Sequence, residues 1–254
     1  GALSLTASNT FTGTMQINAG TVDFGTNGSV TPSSVYLGFG TNDRGIMKVQ
    51  NGNTLTISGS TAMQVGYDGS GALYQSGGNI NLTGTSSWDN FVLGRNAGSY
   101  GYYQLSGGSV NLKEIGVGSA AGGNGVLDIT GGSMTAQNYF FLGRADSAAN
   151  QRSVVNVIGG TLQGGSAALS LDPGFFEGAG ATKSAVMTVA NGGTVIFTNN
   201  GFSMNRANNS GNTSILNLNQ GGLMQTRYIY GGWNVGSRQV NFNGGTLRAA
   251  GNYD

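Results

Sequence analysis

A short segment built around glycine recurs along this chain of 254 residues, and it limits the fold more than any other feature. The clearest copies place a Gly-Gly pair between two alternating stretches, as in YQLSGGSVNL at Tyr103–Leu112 and LDITGGSMTA at Leu127–Ala136. Successive copies are 32, 26, 30, 24, 28, 33, 29 and 23 residues apart, counted between Gly20, Gly52, Gly78, Gly108, Gly132, Gly160, Gly193, Gly222 and Gly245. A period of about 28 residues indicates a repeat architecture.

Each copy predicts strands that turn at glycine. Apolar and polar residues alternate around the glycines, which is typical of strands with one buried face. Glycine accepts positive φ, so the chain can change direction there. A second landmark, an apolar residue followed by glycine, recurs in step with the first. It occurs at Leu37-Gly38, Val65-Gly66, Leu93-Gly94, Val117-Gly118 and Leu142-Gly143, and it fades after Gly143. One period therefore holds two or three short strands.

The pattern favours a parallel β-helix over the other repeat folds. No segment shows the i, i+3, i+4 apolar spacing of a helix. The 48 glycines do not recur every third residue and there are only two prolines, so the chain is not collagen. Propeller blades usually need about 40 residues. We therefore predict one all-β domain over residues 1–254, a β-solenoid of about nine rungs with Gly-rich corners.

The composition narrows the function classes. Charged residues make up 8% of the chain, 11 basic against 10 acidic, which predicts no nucleic-acid surface. The absence of cysteine and histidine argues against disulfides, thiolate metal sites and hydrolase triads. No apolar run is long enough for a transmembrane helix. We interpret the chain as a segment of a longer protein, and Gly1–Ala19 does not read as a signal peptide.

The first residues carry a family resemblance. The segment GALSLTASNTFTGTMQINAGTVDF at Gly1–Phe24 resembles the autotransporter-associated β-strand repeat of Gram-negative surface proteins, with Ala7 where that pattern has glycine. VNFNGGTLRAAGN at Val240–Asn252 resembles a segment common in the same passengers. The resemblance implies a right-handed parallel β-helix exposed outside the cell, as a stalk or body of a surface protein, and it implies no catalytic activity.

Acidic residues near the corners are the first candidates for chemistry. Asp43, Asp68 and Asp146 each lie near an apolar-Gly corner, so stacked rungs could bring them together as paired carboxylates. The other interpretation is that they are turn residues, because aspartate favours turns. β-Helical polysaccharide lyases use acidic calcium ligands with a nearby Arg or Lys as the base. The pairs Asp43 with Arg44 and Asp146 with Arg144 are the nearest equivalents in this sequence. Arg95 and Arg144 both follow a Leu-Gly corner, and we favour a solvated face for them.

The sequence also contains a calcium-like motif, side loops and aromatic residues that are candidates for binding. GGNGVLD at Gly122–Asp128 resembles a calcium-binding nonapeptide, but it has one residue too many and no tandem copies. Insertions in a solenoid map to side loops, here Gly38–Gly45, Asp146–Ser153, Leu171–Lys183 and Asn199–Ser214. Exposed aromatics could bind sugars or a partner, although ladder packing is the commoner role: Tyr100, Tyr102, Tyr103, Tyr139–Phe141, Phe175, Phe176, Tyr228, Tyr230 and Trp233.

These observations predict a structural or adhesive extracellular β-solenoid and not an enzyme. We expect a stalk, filament or adhesin passenger on the bacterial surface, with end-to-end stacking through open rungs as one form of self-association. The alternative is a β-helix that binds or cleaves polysaccharide. The sequence predicts no catalytic, cofactor-binding or metal-binding residue. Host, matrix or polysaccharide surfaces are the expected partners, without nucleic acid.

Overall fold

A computed structural model describes residues 1–25, 27–60, 62–84, 90–118, 122–143, 150–164, 168–171 (backbone only), 183–199, 201–204, 211–231 and 236–250. These residues form strands and no helix. The strands are β1 (Ala2–Leu5), β2 (Thr14–Ile17), β3 (Ala19–Phe24), β4 (Ser29–Val30), β5 (Ser34–Leu37), β6 (Arg44–Val49), β7 (Thr54–Ile57), β8 (Met63–Val65), β9 (Ser70–Leu82), β10 (Phe91–Leu93), β11 (Tyr100–Val117), β12 (Asn124–Ile129), β13 (Ser133–Leu142), β14 (Arg152–Val157), β15 (Thr161–Gly164), β16 (Ala168–Leu171), β17 (Ser184–Val189), β18 (Thr194–Phe197), β19 (Phe202–Met204), β20 (Thr213–Asn219), β21 (Leu223–Thr226), β22 (Ile229–Gly231), β23 (Ser237–Asn243) and β24 (Thr246–Ala249).

Every strand pairs in parallel with the strand one turn away, so the chain winds into a solenoid with three faces. The first face contains β1, β3, β6, the start of β9, the start of β11, β12, β14, β17, β20 and β23. The second contains β4, β7, the end of β9, the middle of β11, the start of β13, β15, β18, β21 and β24. The third contains β2, β5, β8, β10, the ends of β11 and β13, β16, β19 and β22.

The predicted β-solenoid is confirmed, and the rung count differs slightly. Among the described strands the first face holds ten and the other two hold nine each, so the faces do not share the single value predicted from the Gly markers. The second face has one strand fewer because only the isolated Asn9–Val30 bridge lies on it between β1 and β2. The third face has one fewer because, among the described residues, no third-face strand follows β23 and β24. Counting glycine corners counts turns between strands and cannot see such a partial coil.

Alternation along each strand separates a core from an outer surface. In β12 and β17 every second residue is buried and the residues between them are half-buried. The inward residues of all three faces pack into one continuous hydrophobic cluster along the axis. This is the architecture expected when each repeat buries its apolar side only against neighbouring repeats.

The apolar-Gly landmark is the corner between the third and first faces. Its glycines have positive φ, for example +64° at Gly38 and +73° at Gly66. The Gly66 N–H donates to the Leu37 carbonyl one coil earlier, at 2.8 Å, and the Gly94 N–H repeats this contact with Val65. A Cβ on Gly66 would lie 2.1 Å from the Tyr100 carbonyl oxygen, so only glycine fits.

A second glycine completes this corner in the first-face strands from β3 to β12. The inward residue of β9 next to the corner is Gly71, and a Cβ there would lie 2.4 Å from the Gly66 nitrogen. In the later coils the equivalent inward positions are Ser153, Ala185 and Ser214, all buried. The corner therefore tolerates small side chains beyond Gly143, where the landmark fades.

The Gly-Gly pairs bend strands but do not always break them, which corrects the sequence-based expectation. β9 and β11 continue through Gly77-Gly78 and Gly107-Gly108 from the first face onto the second. The corner is instead marked by positive φ at Gly78 and Gly108 and by register shifts on either side of Gly107. The local conformation at the glycine bends the chain while hydrogen bonding to the neighbouring coil continues.

Candidate functional site

The outer surface of the first face carries an apolar stripe that crosses seven coils. One outward residue from each successive strand lies directly beside the next in register, and all are half-buried: Ile46, Ala72, Tyr102, Val126, Val154, Val186 and Ile215. Outward positions of a solenoid are normally polar because they face water. The row therefore forms an apolar floor along the axis, which we call the first-face groove.

Three tyrosines shape one end of the first-face groove. Tyr74, Tyr100 and Tyr102 line a cavity of ≈ 530 Å³ together with Arg44 and Ala72. The Tyr74 and Tyr102 rings meet edge to face with their centroids 5.7 Å apart. Such contacts hold aromatic rings in fixed orientations. Aromatic rings thus line one side of this open depression.

Asp128 fixes the Tyr102 side chain. The Tyr102 hydroxyl donates to Asp128 Oδ2 at 2.9 Å, and Asn156 Nδ2 donates to Asp128 Oδ1 at 2.8 Å. Both carboxylate oxygens are thus occupied by side chains from neighbouring coils. Polar ladders of this kind continue along the same row, where Asn241 Nδ2 donates to Asn217 Oδ1 at 2.7 Å.

The groove continues into a second cavity of ≈ 890 Å³. Tyr100 lines both cavities, and the second is also lined by Val126, Val154 and Val186 of the apolar stripe. Arg44 lines the first cavity and Arg152 the second, and both side chains are exposed. Among the described residues the lining includes these arginines and the buried Lys183 but no aspartate or glutamate.

The tyrosine hydroxyls are kept protonated by their surroundings. Burial, with smaller effects from Asp128 and Tyr74, raises the pKa of Tyr100. Burial also raises the pKa of Tyr102, and the hydrogen bond to Asp128 adds to this effect. In the core, burial raises the pKa of Tyr103 well above 10.0, and its hydroxyl donates to Gln75 Oε1 at 2.5 Å.

We expect the free energy of unfolding to fall at alkaline pH because of Tyr103. Its folded-state pKa is raised, so its contribution is complete below the unfolded-state pKa near 10.0 and falls as the pH rises above it. The slope is about 1.4 kcal/mol per pH unit for one proton. We expect Tyr103→Phe to be less stable at neutral pH but less sensitive above pH 10, as measured by urea unfolding. Equal alkaline slopes in both proteins would contradict this assignment.

The predicted carboxylates behave as turn and ladder residues where the structure describes them. Asp43 Oδ2 accepts the Gly40 N–H at 2.7 Å, and the Asp43 N–H donates to the Gly40 carbonyl, which closes a tight turn. Asp68 Oδ1 accepts Asn96 Nδ2 of the next coil at 2.5 Å. Asp146 and Arg144 lie outside the described residues, so the proposed carboxylate cluster remains a prediction for that part.

Arg95 lies in an aromatic cluster rather than on a solvated face. Its guanidinium lies 5.8 Å from the centroid of the Tyr67 ring, and its Nη1 donates to Gln64 Oε1 at 3.2 Å. The Phe39 and Tyr67 rings stack with centroids 5.0 Å apart, and Tyr36 meets both edge to face. The cluster covers Gln64, which is fully buried although it points outward from the third face.

The calcium-like segment is part of β12 and the turn before it. Its only acidic residue, Asp128, accepts the two hydrogen bonds described above. Within the described part of the chain, no group of three or more acidic, histidine or cysteine side chains is close enough to hold a metal.

The remaining predicted aromatics divide between core and surface. Phe140 is fully buried, whereas Tyr139 is 41% exposed and stacks on Phe141 with ring centroids 5.1 Å apart. Tyr228 and Tyr230 are exposed neighbours. Phe175, Phe176 and Trp233, with most of the Leu171–Lys183 loop, lie outside the described residues.

Sequence reasoning found Tyr100 and Tyr102 but missed Tyr74 and the apolar floor of the groove. The signal was available, because β12, β14 and β17 read NGVLDI, RSVVNV and SAVMTV, with an apolar residue at an outward position of each. Only the register of the coils shows that these positions align.

No protein family, no curated protein and no solved structure matches this chain. Within the described residues no helix is long and apolar enough to cross a membrane.

Proposed function

We propose that the chain is a segment of an extracellular, structural and adhesive β-solenoid of the autotransporter-passenger type, displayed on a bacterial surface. The parallel ladder that joins all the described strands is the observation that carries this proposal. A rod in which each coil packs on the next suits a stalk or body that extends outward from the cell surface. The resemblance of Gly1–Phe24 to the passenger repeat supports the same role.

The composition also suits an exposed rod. Outward positions on the second face form ladders of uncharged side chains, where Ser109 Oγ donates to Asn79 Oδ1 at 2.6 Å and Gln163 Nε2 donates to Thr135 Oγ1 at 3.0 Å. Such bonds do not titrate and are less sensitive to salt than ion pairs. The surface therefore keeps its structure across the variable conditions outside a cell.

The outermost described coils supply a means of self-association. Leu3 of β1 and Phe242 of β23 point inward in register with core positions, yet they are 54% and 56% exposed. Unpaired strand edges beside exposed apolar side chains are a template for another β-coil. End-to-end stacking on a second copy would cover both.

Electron microscopy of the purified chain over a range of concentrations tests this role. We expect rods that lengthen with concentration, and we expect Leu3→Arg with Phe242→Arg to keep them short, because the charges cannot be buried at a junction. Tyr139→Arg, on an exposed side position of a middle coil, is the matched control. Antibodies against the chain should label intact producing cells. Globular particles or exclusively internal labelling would contradict the proposed function.

The groove favours binding as the second candidate function, a β-helix that recognises polysaccharide. Cleavage has less support, because glycoside hydrolysis needs two facing carboxyl groups. The described lining of the groove includes no carboxylate, and Asp128 beside it already accepts bonds from Tyr102 and Asn156.

A further inference from the structure

We propose that the first-face groove is a binding site for an extended acidic oligosaccharide, such as a chain that contains uronic acid or sulfated sugars. The inference rests on the adhesive part of the proposed function and assigns that adhesion a place and a ligand class.

The shape of the groove indicates a long, repetitive ligand. Its two cavities share Tyr100 and follow the stripe from Ile46 on β6 to Val186 on β17. Coils stack about 4.8 Å apart, so the four steps from Arg44 to Arg152 span roughly 19 Å. The stripe residues recur at each coil, so a polymer laid along the axis meets the same half-buried floor at every step.

The chemistry of the walls suits sugar rings. A sugar ring has an apolar C–H face and hydroxyls at its rim. Tyr74 and Tyr100 are 37% and 42% exposed and offer ring surfaces for that face. Asn124 lines the second cavity; its Oδ1 accepts the Arg152 N–H at 2.8 Å, and its Nδ2 offers N–H donors for the hydroxyls. An apolar floor with a few polar groups is typical of ligand sites.

The charges select an acidic ligand. Arg44 and Arg152 lie in different cavities, and the described residues provide neither guanidinium with an ion-pair partner. The nearest carboxylate along the polar row, Asp128, is occupied by Tyr102 and Asn156. Arginine binds carboxylate and sulfate groups through paired N–H donors. The described lining of the groove therefore offers two exposed positive charges, opposed by the negative charge that Asp128 keeps beside Tyr102.

Other polymers fit the groove less well. An extended peptide binds to β-structure mainly by adding a strand at a sheet edge, and the groove lies on the face of the sheet, where the backbone groups are already paired. A nucleic acid gains most of its affinity from many phosphate contacts. Two exposed arginines do not provide them.

Titration calorimetry with a short oligosaccharide of uronic acid and a sulfated one of equal length tests the proposal. The carboxyl-reduced and desulfated forms are the neutral controls. We expect at least one acidic probe to bind, with affinity that falls as salt rises, and the neutral forms to bind at least tenfold more weakly.

Variants locate the site. Arg152→Gln and Tyr100→Ala should each weaken binding about tenfold, the former by loss of a charge-assisted hydrogen bond. Matched controls are Arg248→Gln on the second face and Tyr139→Ala, whose exposure of 41% equals that of Tyr100 within 1%. These should bind like the parent protein.

Each other outcome overturns a defined part of the inference. Equal binding of neutral and acidic probes would refute the acidic ligand class. Binding unaffected by Arg152→Gln and Tyr100→Ala would refute the groove as the site. Failure of both acidic probes would refute the whole inference, while rods in the microscope and labelling of cell surfaces would still support the proposed function.

Discussion

Gly66→Ala is expected to lower the free energy of unfolding by about 2–5 kcal/mol. Gly66 has φ +73°, and an added Cβ would lie 2.1 Å from the Tyr100 carbonyl oxygen of the next coil. The positive φ alone costs roughly 1–2 kcal/mol for a side chain other than glycine, and forcing backbone apart in a packed interior costs about 1–3 kcal/mol more. Urea unfolding followed by circular dichroism measures the loss.

Gly98→Ala is the matched control for this prediction. Gly98 also has positive φ, +84°, but nothing lies within 4 Å of the position of its Cβ. Its replacement should therefore cost only the conformational part, about 1–2 kcal/mol. If the two variants lose equal stability, the close approach of coils at the corner does not explain the Gly66 requirement.

The glycines also show why the fold could be predicted from the sequence. A corner that excludes a Cβ fixes the residue type, so Gly38, Gly66 and Gly94 repeat at nearly constant spacing. Alternation between them then indicates the buried face of each strand. The boundaries at Gly77-Gly78 and Gly107-Gly108 were wrong because a glycine at a bend does not reveal whether hydrogen bonding to the next coil continues.

The candidate site was less predictable because it depends on register between coils. Tyr102, Val126 and Val154 are more than twenty residues apart from one to the next in sequence and become neighbours only through the pairing of β11, β12 and β14. Turn lengths between coils vary, so the sequence does not reveal which outward residues align. The sequence showed Tyr102 as a candidate aromatic residue. It could not show that Tyr102 bonds to Asp128 or that it lies in an apolar row.

Val155→Asp is expected to cost more than about 4 kcal/mol and to disrupt the coils around β14. Val155 is fully buried and lies in register between Leu127 and Met187, both also fully buried. A carboxylate there has no counter-charge among these neighbours, and burying an unpaired charge is among the most destabilising changes known. In a solenoid each coil depends on its neighbours, so limited proteolysis should become fast near β14 first.

Val154→Asp is the matched control, because it places the same side chain one residue earlier, on the outward side of β14. Val154 points outward between Val126 and Val186 and is half-buried, so an aspartate there reaches water and should cost less than about 1 kcal/mol. Threonine has nearly the shape of valine, but at position 155 its hydroxyl would be buried without a hydrogen-bond partner. Val155→Thr should therefore cost an intermediate amount, about 1–3 kcal/mol. The order Val155→Asp, Val155→Thr, Val154→Asp in urea unfolding tests which face of β14 is the core. The reverse order for the two aspartates would mean that β14 is paired one residue out of register, which would also remove Val154 from the apolar floor of the first-face groove.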